Sequence, residues 1–168
     1  MEVVTPSFTG LPEGKVSHLV VFGLDEQRYA LRLSAVDQIV RVVEITFLPK
    51  APDIILGVVN VRGQIVPVYN LRARFHLPNR EPFLADHLIV ARTANRTVAL
   101  VADQVAGVVT RPREEVTRTQ NIFPSLEYVE GVVKLEDGLV FIHDLNTFLS
   151  IDEESLLEEA MVPAQELP

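Results

Sequence analysis

The chain contains a second copy of itself. His18-Leu19-Val20-Val21 returns 69 residues on as His87-Leu88-Ile89-Val90, and Ala30-Leu31 returns at the same offset as Ala99-Leu100. Gly57-Val58-Val59, through Val66 to Leu71, aligns without a gap on Gly131-Val132-Val133, through Val140 to Leu145, at an offset of 74. Between them, Val36-Asp37-Gln38-Ile39 reads as the counterpart of Ala102-Asp103-Gln104-Val105. A repeat of this extent constrains the fold before any single residue does, because each copy must form the same unit. Units of about 60 residues lie near the lower limit for a self-sufficient core, so the two should pack on each other. The expected organisation is a flexible tail over 1–17, a first unit at about 18–80, a second at about 87–150, and an acidic C-terminal segment over 151–168.

Stability must come from aliphatic burial. The sequence is 48% hydrophobic and has no cysteine, which leaves out disulfides and thiolate zinc sites. No apolar run reaches the roughly 20 residues that span a bilayer. Met1 to Ser17 carries two prolines, two glutamates and no apolar core, unlike a signal peptide. The expectation is a soluble, intracellular protein. The net charge of −8 is uneven: six of the 23 acidic residues fall in 152–168 with no Lys or Arg, leaving 17 against 15 basic residues elsewhere. Positions 54–80 have no Asp or Glu but carry Arg62, Arg72, Arg74 and Arg80. That basic region is too sparse, and too poor in stackable aromatics, for nucleic acid.

Short β-branched runs separated by turn residues indicate strands. Leu19–Phe22 and Tyr29–Leu33 flank a turn at Asp25-Glu26-Gln27, and Leu88–Ala91 and Val98–Val101 flank one at Ala94-Asn95-Arg96. Further strands are expected at Ala35–Val43 and Ala102–Val109, then irregular segments at Glu44–Ile54 and Thr110–Glu127. Each copy closes with a hairpin: Ile55–Val61 with Gln64–Tyr69, and Val129–Leu135 with Leu139–Ile142, the turns using glycine for positive φ. Asn70 and Asp144 stand where N-caps do, and Ser150 with Glu153 forms a capping box for a helix over 151–161. The bland reading of that helix is a solvated terminal cap, and its rival is a docking role. The class is all-β: two small barrels or sandwiches.

Catalytic signatures are missing. There is no phosphate-binding glycine loop, no dinucleotide fingerprint and no Gly-x-Ser-x-Gly elbow. Histidines at 18, 76, 87 and 143 never take metal-ligand spacing, and His18 and His87 are repeat equivalents with a framework role. His143-Asp144 resembles a dyad, but Asp144 is better used as a cap. Neither an enzyme nor a cofactor or metal site is expected. A ligand-binding barrel is a rival reading, weakened by the few aromatics, 8 Phe and 3 Tyr.

Asn60-Val61-Arg62-Gly63 is the sharper feature, because the second copy has Lys134-Leu135-Glu136-Asp137 there. A lone arginine on a turn is usually just solvated. This one reverses sign between the copies, opens the acid-free stretch and lies beside Val58, Val59, Ile65 and Val66, as a protein-binding anchor does. Pro67 within a strand implies an edge or a bulge.

Gly57 through Arg72, read as Gly-Val-Val-Asn-Val-Arg-Gly-Gln-Ile-Val-Pro-Val-Tyr-Asn-Leu-Arg, closely resembles the G-V-x-N-L-R-G-x-I-x-P-x-x-D-L-R signature of CheW-like domains. These are adaptors that join chemoreceptors to a histidine kinase in bacterial chemotaxis. Phe22-Gly23-Leu24, Tyr29-Ala30-Leu31, Val36 to Ile39, Val101–Val105 and Tyr128 with Gly131-Val132 agree, so the resemblance covers about 18–150. It implies two five-stranded barrels of the Src-homology type with strands partly exchanged. It also implies two partners, the cytoplasmic tip of a methyl-accepting receptor and the regulatory domain of a CheA-type kinase, with recruitment to receptor arrays and no membrane insertion. The resemblance places receptor contact at Arg62, Asn60 and the Val36-Asp37-Gln38 segment, and Val61 and Gly63 complete the expected partner-binding set. Gln38, Val61 and Asn70 depart from the usual Glu, Leu and Asp, which leaves a paralogue serving motility or another sensory pathway as the alternative.

Overall fold

The computed structural model describes residues 15–118 and 128–165. Most of the expected tail and part of the Thr110–Glu127 segment lie outside them; Ser17 already belongs to the first strand. The strands are β1 (Val16–Leu24), β2 (Gln27–Arg32), β3 (Val36–Arg41), β4 (Ile55–Val61), β5 (Gln64–Tyr69), β6 (His87–Arg92), β7 (Thr97–Ala102), β8 (Gln104–Pro112), β9 (Val116–Arg118), β10 (Val129–Leu135) and β11 (Gly138–His143). Two helices, α1 (Leu71–Arg74) and α2 (Ile151–Gln165), follow the two closing hairpins.

The strands form two sheets, ordered β3-β6-β7-β5-β4 and β8-β1-β2-β11-β10-β9. Each curls until its end strands share an interior. Val40 of β3 and Val59 of β4 lie in one core cluster, and Val109 of β8 and Val116 of β9 border another. These are two small barrels. The contiguous partition at 18–80 and 87–150 describes the repeat rather than the sheets, because the copies exchange their first hairpins. β1-β2 completes the sheet of the second copy and β6-β7 that of the first. The second sheet has a sixth strand because Val116–Arg118 forms a short ladder with β10, where the first copy makes only the Thr46–Val58 bridge.

The exchange explains why the repeated text is so apolar. Leu19 and Val21 of β1 point into the second barrel, while Val20, Phe22 and Leu24 point into the core between the barrels. Leu88 and Val90 of β6 fill the first barrel, and Ile89 and Ala91 face the same inter-barrel core. A strand covered on both faces needs apolar residues at every position rather than at alternate ones. His18 donates to or accepts from Thr110 at 2.9 Å across the β1–β8 ladder, and His87 stands opposite Arg41 at the equivalent place.

The middle of the repeat keeps the 69-residue offset as well. Val36 pairs with Ala91 and Val105 with Phe22, so Val36 is the partner of Val105, not of Ala102. The 36–39 and 102–105 motifs are therefore out of step by three residues. The likeness of the two motifs is a local coincidence of sequence, since the copies have equal length from Leu31 and Leu100 to Val36 and Val105.

Pro67 is not on an edge strand, since β5 lies between β4 and β7. It stands opposite Val58, whose N–H and C=O are both spent on Thr46 at 2.8 Å, and the ladder to β7 begins only at Val68. No bond at that point calls for the N–H that proline lacks.

The capping residues act as the spacing implies. The Asn70 side chain accepts from the Ala73 N–H and the Asp144 side chain from the Asn146 N–H. Ser150 and Glu153 cap each other reciprocally at 2.9 and 3.1 Å. α2 runs past 161 and is no solvated cap: Leu157, Ala160 and Met161 enter the inter-barrel core. Glu153 takes both Nη2 bonds of Arg74, at 3.0 and 2.8 Å, and Glu154 pairs with Arg96.

Candidate partner-binding surfaces

The β4–β5 hairpin ends in a tight turn whose central residues, Arg62 and Gly63, have φ of 52° and 85°. Two successive positive φ values are the I′ pattern that matches strand twist in hairpins. A non-glycine residue enters that region only when its surroundings hold it there. Asn60 does so: its Oδ1 accepts the Gly63 N–H at 2.8 Å. Val61, 3% exposed, anchors the strand in the first-barrel core. Asn60 fastens the turn, Val61 roots it, Gly63 permits it and Arg62 is displayed. Arg62 is exposed and makes no hydrogen bond or ion pair with any described residue. Its expected apolar setting is otherwise: Val58, Val59 and Val66 are buried core and leave only Ile65 half-buried nearby.

The second barrel closes its turn differently. Gly138 alone takes a positive φ there, and Asp137 pairs with Arg28 at 2.7 Å. The Asp137 charge is met within the molecule, while Glu136 is exposed.

The other arginines of the acid-free stretch do not form a basic surface. Arg72, 8% exposed, pairs with Asp25 at 3.0 Å and with Asp103 at 2.6 Å; Arg80 pairs with Asp86 at 3.1 Å and also with Asp103; Arg74 pairs with Glu153. All of these partners but Asp86 come from distant segments, so they join the β1–β2 turn, α1, the β7–β8 junction and α2. Burial alone would raise the Asp103 carboxyl, but the Asp25 amide and the two guanidinium groups bring it below its ordinary value. Of the four arginines, Arg62 alone is available to a partner.

Val36, Asp37 and Gln38 open β3 at a bulge, where Val36 pairs with Ala91 and Gln38 with Val90 so that Asp37 is the extra residue. Asp37 accepts from Arg92 Nε at 3.0 Å, a surface pair of little energetic weight. The Gln38 Oε1 is buried without a partner among the described residues. Register relates the two groups. The β6 end beside Val36 leads through the 93–96 turn into β7, and β7 runs parallel to β5 with Ala99 level with Val68. The start of β3, the 93–96 turn and the 62–63 turn thus lie at one end of the first barrel. No hydrogen bond or ion pair links 36–38 to 60–63 among the described residues.

The opposite end of that barrel carries a mostly apolar groove of about 450 Å³, lined by Val42, Val43, Ile45, Leu56, Pro82 and Leu84 together with Glu44 and Glu81. Leu84 is 82% exposed and Phe47 nearby is 77% exposed. Sequence reading passed over this groove, although Phe47 and Leu84 are large apolar residues in turn-rich segments without strand period.

The His143-Asp144 pair divides its labour. Asp144 caps the 3-10 turn at Leu145–Thr147. His143 packs among Tyr29, Phe75 and Phe148, and burial pushes it down to about 4, so it is neutral and part of the core. No cluster of His, Asp or Glu fit to hold a metal ion occurs among the described residues.

A family model described as the CheW-like domain matches residues 18–153. The chemotaxis protein CheW of Rhizobium meliloti is 28% identical over 137 residues, covering 80% of this chain and 88% of that one. The chemotaxis proteins CheW of Thermotoga maritima and Bacillus subtilis are 28% and 29% identical over 149 residues, with 88% of this chain covered and 95% and 93% of theirs. Among solved structures, the scaffolding protein TtCheW of Thermoanaerobacter tengcongensis superposes with a TM-score of 0.73 at 28% identity, over 82% of this chain and 94% of that one.

Proposed function

The chain belongs to the CheW-like domain family, and from that premise we propose that it is a non-enzymatic adaptor coupling chemoreceptors to a CheA-type histidine kinase. A chemotaxis adaptor role follows from the family; the two partners and their faces are the proposal. The observation that carries it is the Arg62 turn. An arginine held in a left-handed conformation, with an unpaired guanidinium, on one of two otherwise matching hairpins has no structural task that the second copy shares. A guanidinium forks onto a carboxylate in fixed geometry, so a rigidly displayed one selects its partner's orientation as well as its charge.

The receptor tip is assigned to the end bearing Arg62, Asn60, Val61 and Gly63 together with Val36, Asp37 and Gln38. The kinase regulatory domain is assigned to the apolar groove at the other end, where Leu84, Leu56 and Ile45 offer area for burial. Two ends of one barrel let both partners bind at once. No described helix is long and apolar enough to cross a membrane, and the adaptor is proposed to act in the cytoplasm, held at receptor arrays by its partners.

Arg62→Ala tests the assignment. Capture by an immobilised receptor tip should weaken at least tenfold, equal to about 1.4 kcal/mol, while affinity for the kinase regulatory domain stays within twofold. Unchanged receptor capture by a folded variant refutes the role of Arg62, and equal loss of both partners refutes separate faces.

A further inference from the structure

The exchanged sheets are related by an internal pseudo-two-fold, and their register shows which residues are equivalent at the barrel mouths. Arg41 lies opposite His87 and Thr110 opposite His18, so the 69-residue offset carries on to pair Val42 with Arg111 and Glu44 with Arg113. Thr46 faces Val58 as Thr117 faces Val132, which makes Phe47 and Arg118 equivalents. Leu84 and Lys15 each stand three residues before the paired histidines. At four equivalent positions the first barrel has Val, Glu, Phe and Leu, and the second has Arg, Arg, Arg and Lys.

Two of these residues, Arg113 and Arg118, line a cleft of about 730 Å³ in the second barrel, together with Arg32, Val16, Leu33, Val116 and neighbouring polar groups. Arg32 is neutralised by Glu130 and adds a 3.4 Å bond to the Ser17 hydroxyl. Arg111 donates to the Thr110 carbonyl at 2.9 Å. Arg113 and Arg118 are exposed and have no carboxylate partner among the described residues. Glu114 and Glu115, two residues the first copy lacks, sit in the adjoining 3-10 turn and offset only part of this charge.

We propose that this cleft binds a carboxylate-rich peptide segment of a protein partner, its acidic side chains on Arg113 and Arg118 and its apolar ones on Val16, Leu33 and Val116. Among the described residues no Phe, Tyr or Trp lines the cleft for bases to stack on, which disfavours single-stranded nucleic acid. Its mix of cationic rim and aliphatic floor fits an alternating acidic–apolar segment better than a bare anion. The surface is on the other barrel from the Arg62 turn and stands or falls separately from it.

The probe is a fluorescein-labelled 12-residue peptide of alternating Glu and Leu, titrated by anisotropy against the full chain, with the Gln–Leu peptide as control. The Glu peptide should bind at least tenfold more tightly than the Gln peptide, with affinity falling steadily as salt is raised. The R113E/R118E pair should lose at least tenfold, E114Q/E115Q should gain, and R62E should change nothing. Circular dichroism confirms the fold, and R113Q/R118Q provides the same readout if the charge reversal unfolds the chain. Equal binding of both peptides, undiminished binding by the double variant, or an equal loss with R62E overturns the proposal. So does stronger binding to phosphatidylglycerol vesicles than to the peptide, which assigns the surface to lipid.

Discussion

Asp103→Asn probes the joint between the barrels. The Asp103 carboxylate accepts from Arg72 Nη2 at 2.9 and 2.6 Å, from Arg80, and from the Asp25 N–H at 2.6 Å. Asparagine keeps the shape but turns one acceptor into a donor aimed at those same N–H groups. Breaking a fully buried pair costs about 3–5 kcal/mol and an exposed one at most about 1 kcal/mol. Asp103 is 21% exposed and Arg72 8%, and both arginines retain a second carboxylate, Asp25 or Asp86. A cost of about 2 kcal/mol follows, which at a urea slope of about 2 kcal/mol per molar lowers the unfolding midpoint by about 1 M. The effect depends on pH with a definite sign. Because the folded carboxyl titrates below its ordinary value, its contribution is complete above the unfolded carboxylate pKa of about 4 and is lost as pH falls through the folded one. Urea titrations followed by far-UV circular dichroism at pH 7 and pH 3 should therefore show a gap between parent and variant that narrows in acid. A shift under about 0.2 M at pH 7, or a gap that stays constant to pH 3, would refute the ion-pair joint.

Leu100→Ala removes a fully buried side chain of an exchanged strand and should cost about 2–5 kcal/mol. Thermal unfolding should remain a single transition, because each barrel contains the other copy's hairpin; two separated transitions would count against the exchange. Gly57→Ala places a Cβ 2.3 Å from the Thr46 carbonyl oxygen, at a φ of +155°, and must break the Thr46–Val58 bridge. It should lower the melting temperature by several degrees more than Gly63→Ala, whose Cβ would meet open space and whose cost is backbone strain alone, and equal shifts would show that the contact is relieved elsewhere.

The class, the hairpins and the caps were legible in the sequence because each rests on short-range chemistry. Val-rich runs, Asn60 three residues before Gly63, and Ser150 three before Glu153 act within one turn. The duplication was legible for a different reason: β1, β2, β6 and β7 are buried on both faces and so tolerate little change. What escaped depends on pairings far apart in the chain. Arg72 finds Asp25 at a separation of 47 and Arg74 finds Glu153 at 79, so an acid-free stretch that reads as a basic surface is mostly neutralised from elsewhere. Pro67 signals an edge by local rule, yet the Thr46 bridge relieves the demand for its N–H. The basic cleft was equally hidden, because the exchange brings β1 and β2 against the 113–118 segment, and the apolar groove because it gathers three separate segments, 42–45, Leu56 and 81–84.

The exchange bears on why such a fold suits a coupler. A coupler transmits geometry only if its contact surfaces keep a fixed relation. β6 and β7 form a wall of the first barrel on one face and of the inter-barrel core on the other, through Ile89, Ala91, Val98 and Leu100. Displacing the Arg62 end of the first barrel therefore loads side chains packed against the second barrel and α2. Arg72, bonded to Asp25 on an exchanged hairpin and to Asp103 beyond the other, ties the same joint electrostatically. Interiors packed at crystal-like density transmit strain rather than absorb it. The turns and mouths lie outside this shared packing, so they were free to diverge, Arg62 from Glu136 and Glu44 from Arg113, without cost to the frame that sets their spacing.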